Sequence, residues 1–315
     1  MSMLAFLGFA LKVVAPSFGQ VLFGIGLRRF GVLNETRVQQ LSRIMFVTGM
    51  PVVMFMSAAG TDLDGVLESR YLAAGVVATL INTLMAVAYA RWRGFSLPDS
   101  GVFAQGAYRS NMGFIGIALC ANAYGAQGLQ LAALPLAVWT TLYNIIAVWL
   151  LNQTHGRSVS AAALIRGMLT NPLIVSISIG LLVSALGIRL PAWLVQSGRV
   201  FTLIFLPCVL VLVGAAISLQ ALRGASVETV ESCSWKLFLT PLIAVLIALL
   251  MDVQGIELAV LFLMLASPTA TSSFIMVAGV GGNVAMAANI VVLTTLGSGL
   301  SITLGLFLLQ LLGLV

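Results

Sequence analysis

Long apolar runs recur along the chain, and they constrain its fold more than any other feature. Each run has about 17–25 residues, the length that an α-helix needs to cross the hydrocarbon core of a bilayer. We place ten of them, near residues 4–27, 43–61, 71–91, 102–123, 129–151, 166–187, 200–221, 236–252, 257–280 and 284–312. Only 8% of the 315 residues are charged, whereas a soluble domain carries about 25%. The sequence therefore predicts an all-α polytopic membrane protein with ten transmembrane helices.

Basic residues in the connectors between these runs predict the orientation of the chain. With the N-terminus outside, ten of the fifteen Lys and Arg residues fall in cytoplasmic connectors and three in outside connectors. This bias follows the positive-inside rule of membrane proteins. Lys236 is counted among the ten, and His155, which we expect to be solvated, lies in a connector on the same side. We therefore expect both termini outside, and we attribute the net charge of +6 to topology rather than to a nucleic-acid partner.

The two halves of the chain resemble each other at a spacing of 156 residues. The aligned pairs are Pro16 with Pro172, Gly24 with Gly180, Gly31 with Gly187, Arg43 with Arg199, Pro51 with Pro207 and Ala59 with Ala215. Residues 1–156 and 157–315 hold five runs each, an odd number, so the second half must enter the membrane from the opposite side. Inverted repeats of this kind are typical of alternating-access transporters. An old duplication without mechanistic meaning is the alternative.

The fourth and ninth runs contain residues that interrupt a membrane helix. Residues 109–116 include an arginine, an asparagine and two glycines, and residues 266–273 include a proline followed by four hydroxyl residues. Interrupted helices persist in a membrane only where protein or a cavity surrounds them, and a corresponding pair of them points to a substrate site. Our candidate substrate-binding residues are Arg109, Asn111, Gly113, Pro268, Thr269, Thr271 and Ser272 at the interruptions, with Ser57 and Asn144 as polar residues in other runs.

Arg109 predicts the charge of the substrate. The start of a half-helix favours an anion, and Arg109 adds a full positive charge there. An unpaired arginine at mid-bilayer costs about 2.5–3.5 kcal/mol on the insertion scale, and the core of each predicted run is free of Asp and Glu. An anionic substrate would be a natural partner. The alternative is that Arg109 lies nearer the cytoplasmic surface and extends its side chain to the interface.

Short motifs at both interruptions resemble those of the auxin efflux carrier family, which includes plant auxin exporters and bacterial permeases for malonate and related carboxylates. They are Asn111-x-Gly113-Phe114-x-Gly116-x-x-Leu119 and Pro268-x-Ala270 followed by Gly281 and Gly282. The resemblance implies that the two interrupted helices cross at mid-membrane beside the substrate carboxylate. It also implies a transport domain that moves elevator-fashion against a scaffold. Ala118 stands where the family often has proline, so the first interruption would depend on Gly113 and Gly116.

The sequence and this resemblance together predict a secondary carrier for a small organic anion, with a carboxylate as the leading candidate. The short chain fits the bacterial type, in the cytoplasmic membrane, within the wider superfamily of bile acid, arsenite and riboflavin transporters. A sodium symporter of the bile acid type shares this architecture and is the alternative. We expect lipid around the protein and neither a cofactor nor a metal, with Na⁺ or H⁺ as candidate coupling ions. Formation of a homodimer stays open.

Two other classes of function fit the sequence less well. An intramembrane enzyme needs an acid pair, a zinc-binding helix or a Ser–His pair within the membrane, whereas the single histidine of this chain lies in a connector. A channel is a remote alternative, because it would account less well for two corresponding interrupted helices. We therefore expect a carrier rather than an enzyme.

Overall fold

The fold is helical throughout the part of the chain that the structure, a computed structural model, describes. That part comprises residues 3–60, 70–156, 162, 165, 166, 169–217 and 225–315. The helices are α1 Met3–Arg29, α2 Glu35–Ala59, α3 Arg70–Trp92, α4 Leu97–Tyr108, α5 Met112–Thr154, α6 Pro172–Ala185, α7 Ala192–Ala216, α8 Val227–Leu250, α9 Gly255–Ala266, α10 Ser272–Val280 and α11 Val284–Leu311. The predicted all-helical class is confirmed.

Seven of the helices in these ranges are long and apolar enough to cross a membrane, namely α1, α2, α3, α5, α7, α8 and α11. Helices α6 and α9 are apolar but shorter. Helix α5 covers the end of the fourth predicted run and all of the fifth, and its backbone turns at Gly125, with φ 57° and ψ −133°. The arrangement of ten spans as two inverted repeats therefore stays a prediction.

One helix starts earlier than the sequence predicts. The eighth run was placed at 236–252, but α8 begins at Val227, after Ser226, whose side chain caps the helix by accepting from the amide of Thr229. Two glutamates in this stretch, Glu228 and Glu231, lower its hydropathy and hide the helix start. The prediction that Lys236 lies in a cytoplasmic connector is therefore wrong, because the residue belongs to α8.

Two helix pairs pack with their backbones in close contact, and the spacing of 156 residues relates them. A Cβ atom on Gly24 of α1 would lie 1.9 Å from the carbonyl oxygen of Val211 in α7. A Cβ atom on Gly180 of α6 would lie 2.7 Å from the carbonyl oxygen of Phe55 in α2. Gly24 and Gly180, like Phe55 and Val211, are 156 residues apart. The first helix of each half thus packs on the second helix of the other half.

Helices α4 and α9 end inside the protein, and the segments that follow them meet. We call residues 109–111 and 267–270 the crossing. Ser110 and Thr269 form an isolated antiparallel β-bridge. The amide of Asn111 donates to the carbonyl of Pro268 at 2.7 Å, and the amide of Ala270 donates to the carbonyl of Arg109 at 3.0 Å. These two hydrogen bonds hold the four helix ends at the crossing together.

Candidate functional site

Hydroxyl groups complete the hydrogen bonding of the two helices that end at the crossing. The last carbonyls of a helix have no partner within it, and lipid offers none. Thr269 donates from Oγ1 to the carbonyl of Gly106 at 2.7 Å, and Thr240 of α8 donates to that of Ala107 at 2.8 Å. Ser267 donates to the carbonyl of Met264 at 2.7 Å. The predicted site residue Thr269 is therefore already engaged in holding α4.

Arg109 lies inside the protein, with only 5% of its surface exposed. Its guanidinium donates to the carbonyl of Tyr143 at 3.0 Å and to Oδ1 of Asn144 at 2.7 Å. It also donates to Oγ of Ser272, the first residue of α10, at 3.2 Å. All of these acceptors are neutral. The structure thus brings together three of the predicted site residues, and the guanidinium points into the protein rather than toward an interface.

Lys236 is a second cation at the crossing, and sequence reasoning missed it. Its side chain is completely buried. Its ammonium donates to Oγ of Ser110 and, at 3.0 Å, to the carbonyl of Leu265 in the last turn of α9. The residue lies in a π-helical turn of α8, Trp235–Leu239, and such turns are frequent at functional sites.

A polar stripe on α8 could have revealed Lys236 from the sequence. Ser232, Lys236 and Thr240 follow at intervals of four residues, which places them on one face of a helix. In the structure, Ser232 donates to the carbonyl of Phe103 in α4 at 3.0 Å, so all three side chains bond to α4 or the crossing.

Asn111 is buried at the crossing, with 6% of its surface exposed. Its carbonyl accepts from the amide of Gly116 at 3.0 Å, which closes the first turn of α5. Its side-chain amide nitrogen, Nδ2, is buried and has no hydrogen-bond partner in the structure. Buried polar groups are normally paired, so this donor is available to a ligand.

The remaining predicted residues have separate positions. Pro268 contributes its carbonyl to the crossing, and Thr271 is partly buried just before α10. Gly113 is partly buried, with a side-chain carbon of Leu173 3.9 Å from where its Cβ would lie. Ser57 is a buried residue of α2, with 8% of its surface exposed.

His155 is not the solvated residue that we predicted. Its side chain is partly buried, and Nδ1 lies 2.8 Å from the carbonyl of Leu151. Because a carbonyl can only accept, Nδ1 carries the proton. Nε2 is buried without a partner and lies 3.2 Å from where a Cβ on Gly282 would be. The ring thus packs between the end of α5 and the segment before α11.

The space beside the crossing is small. A cavity there has room for about one water molecule and is lined by Ala78, Thr79, Asn82, Tyr108, Tyr143, Thr240, Ala244 and Leu265. Because Arg109 is itself buried, entry of an organic molecule next to it requires movement of the surrounding residues.

Comparison with known proteins gives two similarities that extend over most of the chain. The profile of a family described as membrane transport protein matches residues 9–306, from α1 to α11. A protein named "uncharacterized transporter" from Methanothermobacter thermautotrophicus (strain Delta H) is 23% identical over 259 residues, which is 79% of this chain and 82% of that protein.

Proposed function

Because the chain belongs to the membrane transport protein family, we propose that it is a secondary carrier that moves a small organic anion, with a carboxylate as the leading candidate. Membership confirms the predicted resemblance to the auxin efflux carrier family, and it makes the chain an integral membrane transporter. The nature of the substrate, its site at the crossing and an elevator mechanism are our proposals.

The buried positive charge of Arg109 at the start of a helix is the observation that carries the proposal. The start of a helix bears a partial positive charge, and the guanidinium of Arg109 adds to it by bonding Ser272, the first residue of α10. The ion pairs between described residues, Arg28–Glu35, Arg70–Asp252 and Arg93–Glu231, do not include Arg109. A buried charge is costly unless it is paired. A substrate anion would supply the missing negative charge.

The geometry of the donors favours a carboxylate. A guanidinium offers parallel N–H groups that match the two oxygens of a carboxylate. The unpartnered Nδ2 of Asn111 offers a further donor at the same crossing. We therefore assign substrate binding to Arg109 and Asn111, and we assign Asn144 and Ser272 to holding the guanidinium in place.

The helix packing supports a division into scaffold and transport domain. The close pairs α1–α7 and α2–α6 would form the scaffold. The interrupted helices and α8 are joined by hydrogen bonds at the crossing, so they would move together as the transport domain. Residues from both halves of the chain contribute to each domain, as expected for interleaved inverted repeats.

Counterflow of a labelled carboxylate in liposomes tests this function. The substrate is first selected by screening mono- and dicarboxylates for a rise in the unfolding temperature of the purified protein. We expect exchange to be accelerated by unlabelled substrate inside the vesicles, as in a carrier and not in a channel. Failure of all tested carboxylates both to stabilise the protein and to exchange would reject the proposal.

Substitution of Arg109 tests its role in the site. Arg109→Lys keeps the charge but loses the paired N–H groups, so we expect the affinity to fall roughly tenfold, or about 1.4 kcal/mol. Arg109→Ala should nearly abolish binding. Arg199→Lys, at an exposed arginine of α7, is the matched control and should bind as the parent does. Unchanged affinity of Arg109→Lys would remove Arg109 from the site.

A further inference from the structure

The two buried cations of the crossing lie at helix ends of opposite polarity. Arg109 bonds the start of α10, where the helix dipole is positive. Lys236 bonds the carbonyl of Leu265, which lies in the last turn of α9, where the dipole is negative. An anion is therefore attracted to Arg109, whereas the charge of Lys236 is already compensated in part by the protein.

The oxygens around the ammonium of Lys236 are of the kind that bind a coupling cation. In secondary transporters, the carbonyls at the C-terminal end of an interrupted helix coordinate Na⁺ or H⁺. Here the carbonyl of Leu265 accepts from Lys236 at 3.0 Å and from Oγ of Ser110 at 2.7 Å. The hydroxyl of Tyr143 in turn donates to Oγ of Ser110 at 3.3 Å. The ammonium of Lys236 thus occupies the oxygens at the end of α9, the kind of place where other carriers bind a mobile cation.

The surroundings of Lys236 leave little reason for a second cation to bind. Within the described part of the chain, no ion pair includes Lys236, and its ammonium bonds neither Asp nor Glu. Two positive charges a few ångströms apart repel each other, and more strongly inside a protein than in water. A sodium ion at these oxygens would have to overcome this repulsion.

Lys236 is also bound to the elements that would move. The neighbouring side chains on its face of α8, Ser232 and Thr240, bond the carbonyls of Phe103 and Ala107 in α4. The ammonium itself bonds Ser110, in the first segment of the crossing, and Leu265, in the helix α9 that leads into the second segment. A rigid movement of the crossing would therefore carry this cation with it.

We propose that the ammonium of Lys236 is a tethered cation that takes the place of a mobile coupling ion at the end of α9, so that the carrier works without sodium. This inference rests on the proposed carrier function, and it specifies that sodium is not the ion coupled to transport. It argues against the sodium symporter that the sequence left as an alternative. We treat Lys236 as a positioning residue, because its ammonium bonds Ser110 and Leu265 and our proposed substrate contacts are Arg109 and Asn111.

Replacement of sodium in the transport assay is the first test, and it needs no variant. Carboxylate exchange by the parent protein is measured in liposomes with sodium, potassium or choline chloride on both sides. We expect equal exchange rates in the three salts. A rate that depends on sodium would overturn the proposal.

The second test measures cation binding by stability, so it needs no substrate. In Lys236→Ala the side chain no longer fills its space, and sodium or methylammonium can reach the oxygens of Ser110 and Leu265. We expect either cation to raise the unfolding temperature of Lys236→Ala above its value in choline chloride. The parent should show no such rise, and neither should Lys236→Met, whose neutral side chain fills the space.

A matched control and a distinct outcome complete this test. Lys12, the only other lysine of the chain, is exposed on α1, and Lys12→Ala should behave as the parent does. A folded Lys236→Ala that responds to neither cation would overturn the proposal. Cation-dependent stabilisation of Lys236→Ala in a protein that exchanges no carboxylate would support the tethered cation while rejecting the anion carrier.

Discussion

At the residue scale, the buried polar groups of the crossing differ in whether they have a hydrogen-bond partner. The hydroxyls of Thr269, Thr240 and Ser267 all bond helix carbonyls, so their contribution is structural. The Nδ2 atom of Asn111, by contrast, is buried and unpartnered. The protein bears the cost of removing this donor from water without recovering it internally.

Substitution of Asn111 separates binding from stability. Asn111→Ala removes the unpartnered donor but keeps the backbone bonds to Pro268 and Gly116. We expect carboxylate affinity to fall roughly tenfold or more, since a hydrogen bond to a charged group contributes about 1.5–3 kcal/mol. The unfolding temperature should stay near that of the parent. Binding and unfolding are both followed by thermal-shift titration.

Asn122→Ala is the control for this prediction. The Nδ2 atom of Asn122 in α5 donates to the carbonyl of Val13 at 3.1 Å and to Oγ of Ser17 at 2.9 Å. Its removal should lower the unfolding temperature without changing affinity. If both variants bind as the parent does, Asn111 is not a ligand of the substrate.

At the element scale, the helices differ in how closely they pack. Helices α1 and α7 approach until backbone touches backbone, because Gly24 lies opposite Val211 and Gly214 lies opposite Val21. Small residues permit such approach in membranes, where packing rather than water exclusion drives association. The equivalent contact of Gly180 with Phe55 gives both halves of the chain the same packing.

Glycine substitutions in α1 test this contact. A Cβ on Gly24 would lie 1.9 Å from the carbonyl oxygen of Val211, whereas a Cβ on Gly26 would have no atom within 4 Å. We expect Gly24→Ala to destabilise the protein by roughly 1–3 kcal/mol, the usual cost of overpacking. Gly26→Ala should be neutral or slightly stabilising, because alanine favours helix. Equal unfolding temperatures of the two variants would show that the α1–α7 contact is wrong.

The equivalent contact between α2 and α6 gives the same expectation. Gly180→Ala should lower the unfolding temperature as Gly24→Ala does, because a Cβ on Gly180 would lie 2.7 Å from the carbonyl oxygen of Phe55.

At the scale of the whole molecule, large apolar side chains cover the outside of the protein. Leu4, Leu203 and Leu250 are exposed by 75–80%, as expected for a surface that lipid solvates. Charged pairs lie at the helix ends instead. Arg93 donates to Glu231 at 2.6 Å, and this hydrogen bond to the carboxylate raises the pKa of Arg93. The connector after α3 is thereby joined to the start of α8.

Cysteine labelling tests the predicted orientation. A cysteine added after Val315, in a variant without the exposed Cys208, should react with an impermeant maleimide from outside intact cells, because the positive-inside rule places both termini there. Trp92→Cys in the same background is the control. Trp92 is 79% exposed at the end of α3, on the predicted cytoplasmic side, and should react only after the cells are opened. The reverse pattern would invert the topology.

Local features of the sequence determined the helical membrane class, the places where helices stop and the candidacy of Arg109, Asn144 and Ser272. Helix length against bilayer thickness and the presence of Pro, Gly and Arg inside an apolar run can be read without knowing any neighbour. Only the tertiary structure decided that Lys236 lies at the crossing and that Thr269 is engaged with α4. Those outcomes depend on which helices pack together and which face each one buries, and residues such as Lys236 and Leu265, distant in sequence, meet only after that packing has formed.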